Sequence, residues 1–173
     1  MVSFDWEQLG PAIVGNDKFD QLGYAMALST NARAMAVGAP WYDSYTGYVE
    51  VYHTVDDGGN WTQIGQIIHG NATNEYFGLS VDISADGKTV ACGCPGYWGG
   101  SFLGYVRVYK LASDGDIGTD TWEQIGRDIT GNATGDGFGY SVSISDDGNM
   151  IAVGVIYNDG MMGNVRAVSG CTN

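Results

Sequence analysis

Six aromatic residues stand in stretches rich in Gly, Ser and Asp: Trp41, Tyr42, Tyr45, Tyr97, Trp98 and Tyr157, with Asp43 and Asp159 among them. An aromatic face stacks on a sugar ring, and with a carboxylate beside it can hold a basic side chain. These eight residues are therefore candidate ligand contacts; the plainer use of the aromatics is to cover the ends of the elements they follow. A second candidate is Asp114-Gly115-Asp116-Ile117-Gly118-Thr119-Asp120. Carboxylates at Asp114, Asp116 and Asp120 in a glycine-rich loop could hold Ca²⁺ weakly, though a solvated loop accounts for the same residues. Asn71-Ala72-Thr73 and Asn132-Ala133-Thr134 are glycosylation sequons, and Asn60-Trp61-Thr62 is a third, poorer one beside a Trp expected to be buried.

Other chemistry is weakly supported. Cys92 and Cys94 are two apart in an expected strand, so both side chains share a face. Cys92 also falls where the other copies of the repeat have Val37 and Val153, which reads as core. A metal site would need more ligands than His53 and His69 supply. There is no Gly-x-Ser-x-Gly elbow, no His-Glu-x-x-His and no phosphate loop with its Lys. A pair of carboxylates facing each other across a channel, as in glycosidases, leaves no local signature and stays open. The net charge of −13, from 20 acidic and 7 basic residues, repels nucleic acid and anionic lipid.

The elements that must position these residues come from a repeat of about 58 residues. Copies begin at Trp6, Trp61 and Trp122, reading Trp-Glu-Gln-Leu-Gly, Trp-Thr-Gln-Ile-Gly and Trp-Glu-Gln-Ile-Gly. Sixteen residues after each Trp comes Leu22-Gly23, Phe77-Gly78 or Phe138-Gly139. Sixteen further on lies Gly38-Ala39-Pro40, Gly93-Cys94-Pro95 or Gly154-Val155-Ile156. Within each copy, Ser80-Val81-Asp82-Ile83-Ser84 and Ser141-Val142-Ser143-Ile144-Ser145 alternate like half-buried strands. Asp86-Gly87 and Asp147-Gly148 then close a hairpin, with Asn31-Ala32 as a weaker turn in copy one. The next strand, Met35–Ala39 or Ile151–Val155, is small and apolar and should be buried on both faces. A Val-x-Val-Tyr strand follows, and the Trp segment is the fourth. The 28 Gly against 3 Pro fit many tight turns, and no stretch has sustained helical periodicity.

The Phe77-Gly78, Phe138-Gly139 and Gly38-Ala39-Pro40 motifs resemble the FG-GAP repeat, as in the N-terminal propeller of integrin α-subunits. Copy three departs from its second signature. The resemblance spans essentially the whole chain and implies an all-β fold: three four-stranded antiparallel blades of a β-propeller within one domain, residues 1–173. Three blades are fewer than the usual four to eight. Two explanations are open. The Trp6 strand completes the last blade and two chains form a six-bladed ring, or the chain is a fragment of a larger propeller. The calcium loop of integrin blades is not carried over, because Ser84–Lys88 and Ser145–Asn149 are too short for six to eight oxygen ligands.

Taken together, these readings predict a non-catalytic binding or adhesion module, recognising a protein or glycan through blade-end loops. The alternatives are a carbohydrate-active enzyme using channel carboxylates and a purely structural propeller fragment. Expected partners are a protein or glycan ligand, and either a second copy or further blades, with no nucleic acid and no membrane insertion. The segment Met1-Val-Ser-Phe-Asp-Trp6 reads as no secretory leader, so the expectation is an ectodomain fragment, with a cytoplasmic chain left open.

Overall fold

Alternation and hairpin turns assemble three antiparallel sheets in a computed structural model that describes residues 5–56, 59–96, 102–113, 119–157 and 162–170. The first contains β1 (Ala25–Leu28), β2 (Ala34–Ala39), β3 (Tyr48–His53), β4 (Thr62–Gln63) and β5 (Ile68–His69). The second repeats it with β6 (Ser80–Ile83), β7 (Thr89–Cys94), β8 (Tyr105–Ala112), β9 (Thr121–Gln124) and β10 (Ile129–Thr130). The third has β11 (Phe138–Ile144), β12 (Met150–Val155) and β13 (Asn164–Ser169). Among the described residues no helix is long and apolar enough to cross a membrane.

Each first hairpin closes by one device. Ser29, Ser84 and Ser145 donate their hydroxyls to Asn31, Asp86 and Asp147, at 2.8, 2.7 and 2.6 Å. The same acceptor oxygens take the backbone N–H of Arg33, Lys88 and Asn149. Gly87 and Gly148 then adopt φ of 73°, and Ala32 adopts 54° at the equivalent place. The Asn31-Ala32 turn thus closes the same way, with a Cβ in a left-handed conformation that costs about 1 kcal/mol. One oxygen of Asp86 and one of Asp147 are thus engaged by their own turns.

The fourth strand departs from expectation. Strand pairing on Trp-x-Gln-Ile-Gly covers only Thr62–Gln63 and Thr121–Gln124, and after Gly65 and Gly126 turn the chain at φ of 70° and 74° a further short segment pairs beyond the motif. Two short segments result, β4 with β5 and β9 with β10, each paired to the third strand of its sheet. The third sheet is also three-stranded rather than four-stranded. The Trp6 segment forms no strand, and its indole is fully exposed.

The sheets stack face to face through their first strands: β6 lies against β1 and β2, and β11 against β6, β7 and β8. One core fills the first gap, with Val49, Phe77, Val81 and Trp122, and a second fills the next, with Val106, Phe138, Ile144 and Val153. Glycines permit the close approach. A Cβ at Gly38 would run into the backbone oxygen of Gly78, and one at Gly93 into that of Gly139. β7 is buried throughout because it has a sheet on each side. β12, expected to be equally buried, alternates instead, because none of the described residues covers the outer face of the third sheet.

Candidate functional site

The loops at one end of the sheets carry both the aromatic residues and a repeated carboxylate. Asp20, Glu75 and Asp136 stand at equivalent positions in the loops that enter each sheet. Their backbone carbonyls accept the N–H of Trp41, Gly96 and Tyr157 at 3.4, 3.0 and 2.9 Å, stitching each entry loop to the loop after the second strand. The Asp20 carboxylate accepts the N–H of Asp17 and Leu22 and the Tyr48 hydroxyl, the last at 2.8 Å. Glu75 likewise accepts Asn71 N–H, Ala72 N–H and the Tyr105 hydroxyl at 2.8 Å. Burial alone would raise the Asp20 carboxyl; the Tyr48 hydroxyl and the backbone donors outweigh it and hold the group below the usual carboxylate range. Burial, reinforced by the Asp20 and Glu50 carboxylates, pushes the Tyr48 phenol well above its usual range, so it stays a donor. The third repeat has Asn164 in place of the tyrosine.

The entry loop requires left-handed backbone at two places. Phe19, Asn74 and Gly135 fill one, with φ of 70°, 63° and 79°; Gln21, Tyr76 and Gly137 fill the other, with 54°, 57° and 69°. The strain is therefore a property of the repeat, and copy three relieves it with glycine. The facing turn, Tyr42–Tyr45, is left-handed at Asp43, Ser44 and Tyr45. Backbone bonds from Asn74 to Ser44 and from Tyr76 to Tyr45, at 3.1 and 2.8 Å, lock the two loops together.

These constraints gather an aromatic platform. Trp41 packs at 4.5 Å from Tyr24 and edge-on to Tyr76 at 5.9 Å, while Tyr45 stacks on Tyr76 at 5.1 Å. Trp41 is half-buried, and Tyr24 and Tyr45 are exposed. Tyr42 instead turns inward, against Tyr48 at 5.0 Å and His69 at 5.8 Å. Asp43 is exposed, and its carbonyl caps the turn by accepting Thr46 N–H at 3.1 Å. Tyr157 sits at the matching position of the third sheet, half-buried. Of the expected contacts, then, Trp41 and Tyr45 come together and Tyr42 belongs to the packing beneath. Tyr97, Trp98 and Asp159 lie outside the described residues.

Asp114 and Asp116 also lie outside the described residues, while Asp120 is buried with Oδ1 unpartnered. Among the described residues no three His, Cys, Asp or Glu side chains gather as a metal site. Asn71 and Asn132 are exposed in equivalent loops, Asn132 accepting from Arg166 at 3.0 Å. Cys92 and Cys94 are buried and unbonded to each other; burial pushes both thiols far above their usual range.

Sequence reasoning passed over several buried polar groups. Glu50 is buried and accepts Asn16 at 2.7 Å and the Tyr52 hydroxyl at 2.6 Å. At the equivalent place in sheet two, Arg107 forms a bidentate pair with Asp128, both bonds at 2.9 Å, and lies 4.5 Å over the Tyr105 ring. A signal existed for the loop acids: each stands five residues after Gly15, Gly70 or Gly131.

No family model matches the chain, and no curated protein matches it. Among solved structures, it resembles a periplasmic gluconolactonase of Pseudomonas aeruginosa, at 15% identity and a TM-score of 0.52, over 84% of this chain and 38% of that one. It also overlaps an intramolecular trans-sialidase of Ruminococcus gnavus at 16% identity, over 83% of this chain and 32% of that one; its TM-score of 0.47 is too low to carry an argument. The chain thus spans about two fifths of the gluconolactonase or less, and at this identity the likeness shows the propeller-like, β-rich fold alone. It does correct one expectation. The likeness is to a gluconolactonase and not to an adhesion propeller, so the expected reading as a non-catalytic adhesion module is set aside.

Proposed function

We propose that the chain is part of a carbohydrate-active enzyme built as a propeller, its three sheets forming three blades. The observation that carries this reading is the half-open platform of Trp41, Tyr24, Tyr45 and Tyr76 beside loops that each hold a carboxylate. A sugar presents apolar C–H faces to aromatic rings and hydroxyls to carboxylates, so this pairing suits it. The gluconolactonase acts, by its name, on gluconolactone, and a sugar lactone is the first substrate class to try.

The carboxylates divide by their partners. Asp20 and Glu75 are committed to two backbone donors and a phenol each, which makes them loop anchors. Asp136, half-buried in the repeat that carries Asn164 in place of the tyrosine, is assigned the proton transfers. On a lactone, water would add to the carbonyl while Asp136 takes its proton. The ring C–O bond then breaks and the same proton passes to the departing oxygen, leaving the hydroxy acid. The neighbour is periplasmic by its name, and a setting outside the cytoplasm is proposed here too. The FG-GAP kinship of the repeat is retained as a proposal resting on its two motifs.

Proton release from gluconolactone, corrected for spontaneous hydrolysis, and release of nitrophenol from aryl glycosides test the reading. Saturable turnover is expected, with Asp136→Asn lowering kcat at least a hundredfold. Trp41→Ala should raise KM roughly three- to tenfold, the worth of one aromatic contact. Absence of turnover, or turnover indifferent to both substitutions, would remove the proposal.

A further inference from the structure

We infer that the uncovered face and edge of the third sheet are an interface for a second copy of this chain, which seats there its first sheet and its Trp6 segment. The inference is independent of the proposed activity. It rests on seats that are filled twice inside the chain and left open at its ends.

The third-strand glycines receive the next repeat. A Cβ at Gly47 would strike the Phe77 carbonyl, and one at Gly104 that of Phe138, whereas Gly163 meets only atoms of its own sheet. The Phe-Gly glycines are the other half of the seat. Gly78 and Gly139 lie against the preceding sheet, where an added Cβ would come 2.6 Å from Tyr48 O and 2.7 Å from Tyr105 O, but Gly23 has open space. Apolar side chains follow the same rule. Val49 and Val106 are fully buried and Val165 is 74% exposed; Ile83 and Ile144 are buried and Leu28 is 56% exposed.

The Trp seat agrees. Trp122 lies on β9, yet its indole reaches back to the first sheet: Nε1 donates to Ile64 O at 2.9 Å, and a Cβ at Gly65 would meet Cδ1 at 2.6 Å. Gln66 fixes the segment by bonding both the N–H and the C=O of Trp122. Between the second and third sheets the corresponding seat is a cavity of about 210 Å³ whose lining includes Ile125, Gly126, Val168 and Gly170, and Gly126 has nothing beside it. Ile125 is exposed. The segment that repeats the Trp122 sequence and has no place of its own is Trp6-Glu7-Gln8-Leu9-Gly10.

Each empty seat on the third sheet therefore has its filler on the first repeat of the same sequence. A twofold pair would make both contacts twice and close six sheets, with no edge left open. Area supports it: the chain exposes 9937 Å². A compact protein of this mass exposes about 8,200 Å². The surplus, about 1,700 Å² per chain and so about 3,400 Å² over a pair, is in the range that obligate homodimers bury.

Light scattering on the intact chain at physiological salt, from low to high micromolar, tests this. The expected mass is about twice 18.4 kDa. Val165→Asp and Trp6→Ala should each weaken association at least tenfold, about 1.4 kcal/mol. Both residues are exposed in the single chain, so circular dichroism should report an unchanged fold. A monomer at every concentration, a ladder of larger species, or a dimer that neither substitution weakens would overturn the inference. Since none of these readings involves turnover, the proposed activity stands or falls separately.

Discussion

Trp122→Ala is the most informative single substitution within the chain. The side chain is 3% exposed, wedged between the first two sheets, with its indole N–H on Ile64 O. Truncating a buried Trp costs about 3–5 kcal/mol through lost burial and the cavity left behind. The Ile64 carbonyl would lose its indole donor, adding roughly 1 kcal/mol. Together these predict a loss of about 4–6 kcal/mol, or a fall in Tm of about 8–24 °C for a chain of this size. The matched control is Trp6→Ala, the same repeat position in copy one but fully exposed, which should change monomer stability by less than about 0.5 kcal/mol. Urea unfolding followed by circular dichroism, at concentrations where the chain is dissociated, measures both. A Trp122→Ala cost below about 2 kcal/mol would mean that the Trp is not the wedge between sheets described here. Equal costs at the two positions would contradict the reasoning just as directly.

Gly93→Ala should destabilise the chain by at least about 2 kcal/mol, because its Cβ meets the Gly139 backbone. Gly154→Ala, at the equivalent place on the uncovered sheet, meets only the movable Ser141 side chain and should cost clearly less in the same denaturation assay. Asp128→Asn should cost about 1–2 kcal/mol at pH 7 by unpairing Arg107, a figure kept low because Asp128 is 33% exposed. Arg107 holds the Asp128 carboxyl below its ordinary value, against the opposing effect of burial. That stabilisation is present above the unfolded pKa near 3.9 and is lost as pH falls through the lower folded value. Urea midpoints of wild type and variant should therefore draw together as pH falls below about 4; a gap that does not narrow at all below that pH would refute the assignment.

Much of this arrangement was legible in the residues. The spacing of Trp, Phe-Gly and Gly-Ala-Pro marked the repeat, because Trp122, Gly78 and Gly139, and Gly38 and Gly93 make the same kinds of contact between successive sheets. Alternation at Ser80–Ile83 and the Asp86-Gly87 turn located a hairpin, since period and turn chemistry are both local. The break at Gly65 and Gly126 was not legible, because a glycine reads alike as a bulge, a turn or a strand end. The exposure of β12 was not either: its composition matches β2 and β7, and only the missing neighbour distinguishes it. At the candidate site, Trp41 and Tyr45 were picked out by their place in a loop, while their partners Tyr24 and Tyr76 come from other loops and meet them only in space. Asp20 and Glu75 were passed over because a carboxylate engaged by tyrosine 28 or 30 residues away leaves no short-range pattern.

The central claim is that one contact between sheets, used twice within the chain, is used again between chains. Its most direct test is a site-directed crosslink. Asp82 reaches across the second gap to the N–H of Ile144 at 2.7 Å, and the equivalent pair between copies is Ser143 and Leu28. A chain carrying Ser143→Cys and Leu28→Cys, with Cys171→Ser to remove that thiol, would be treated with a short bismaleimide and read on a reducing gel. The account predicts a near-quantitative covalent dimer that neither single-cysteine variant yields to a comparable extent. A double variant that stays monomeric, or one that crosslinks no better than Leu28→Cys alone, would contradict it.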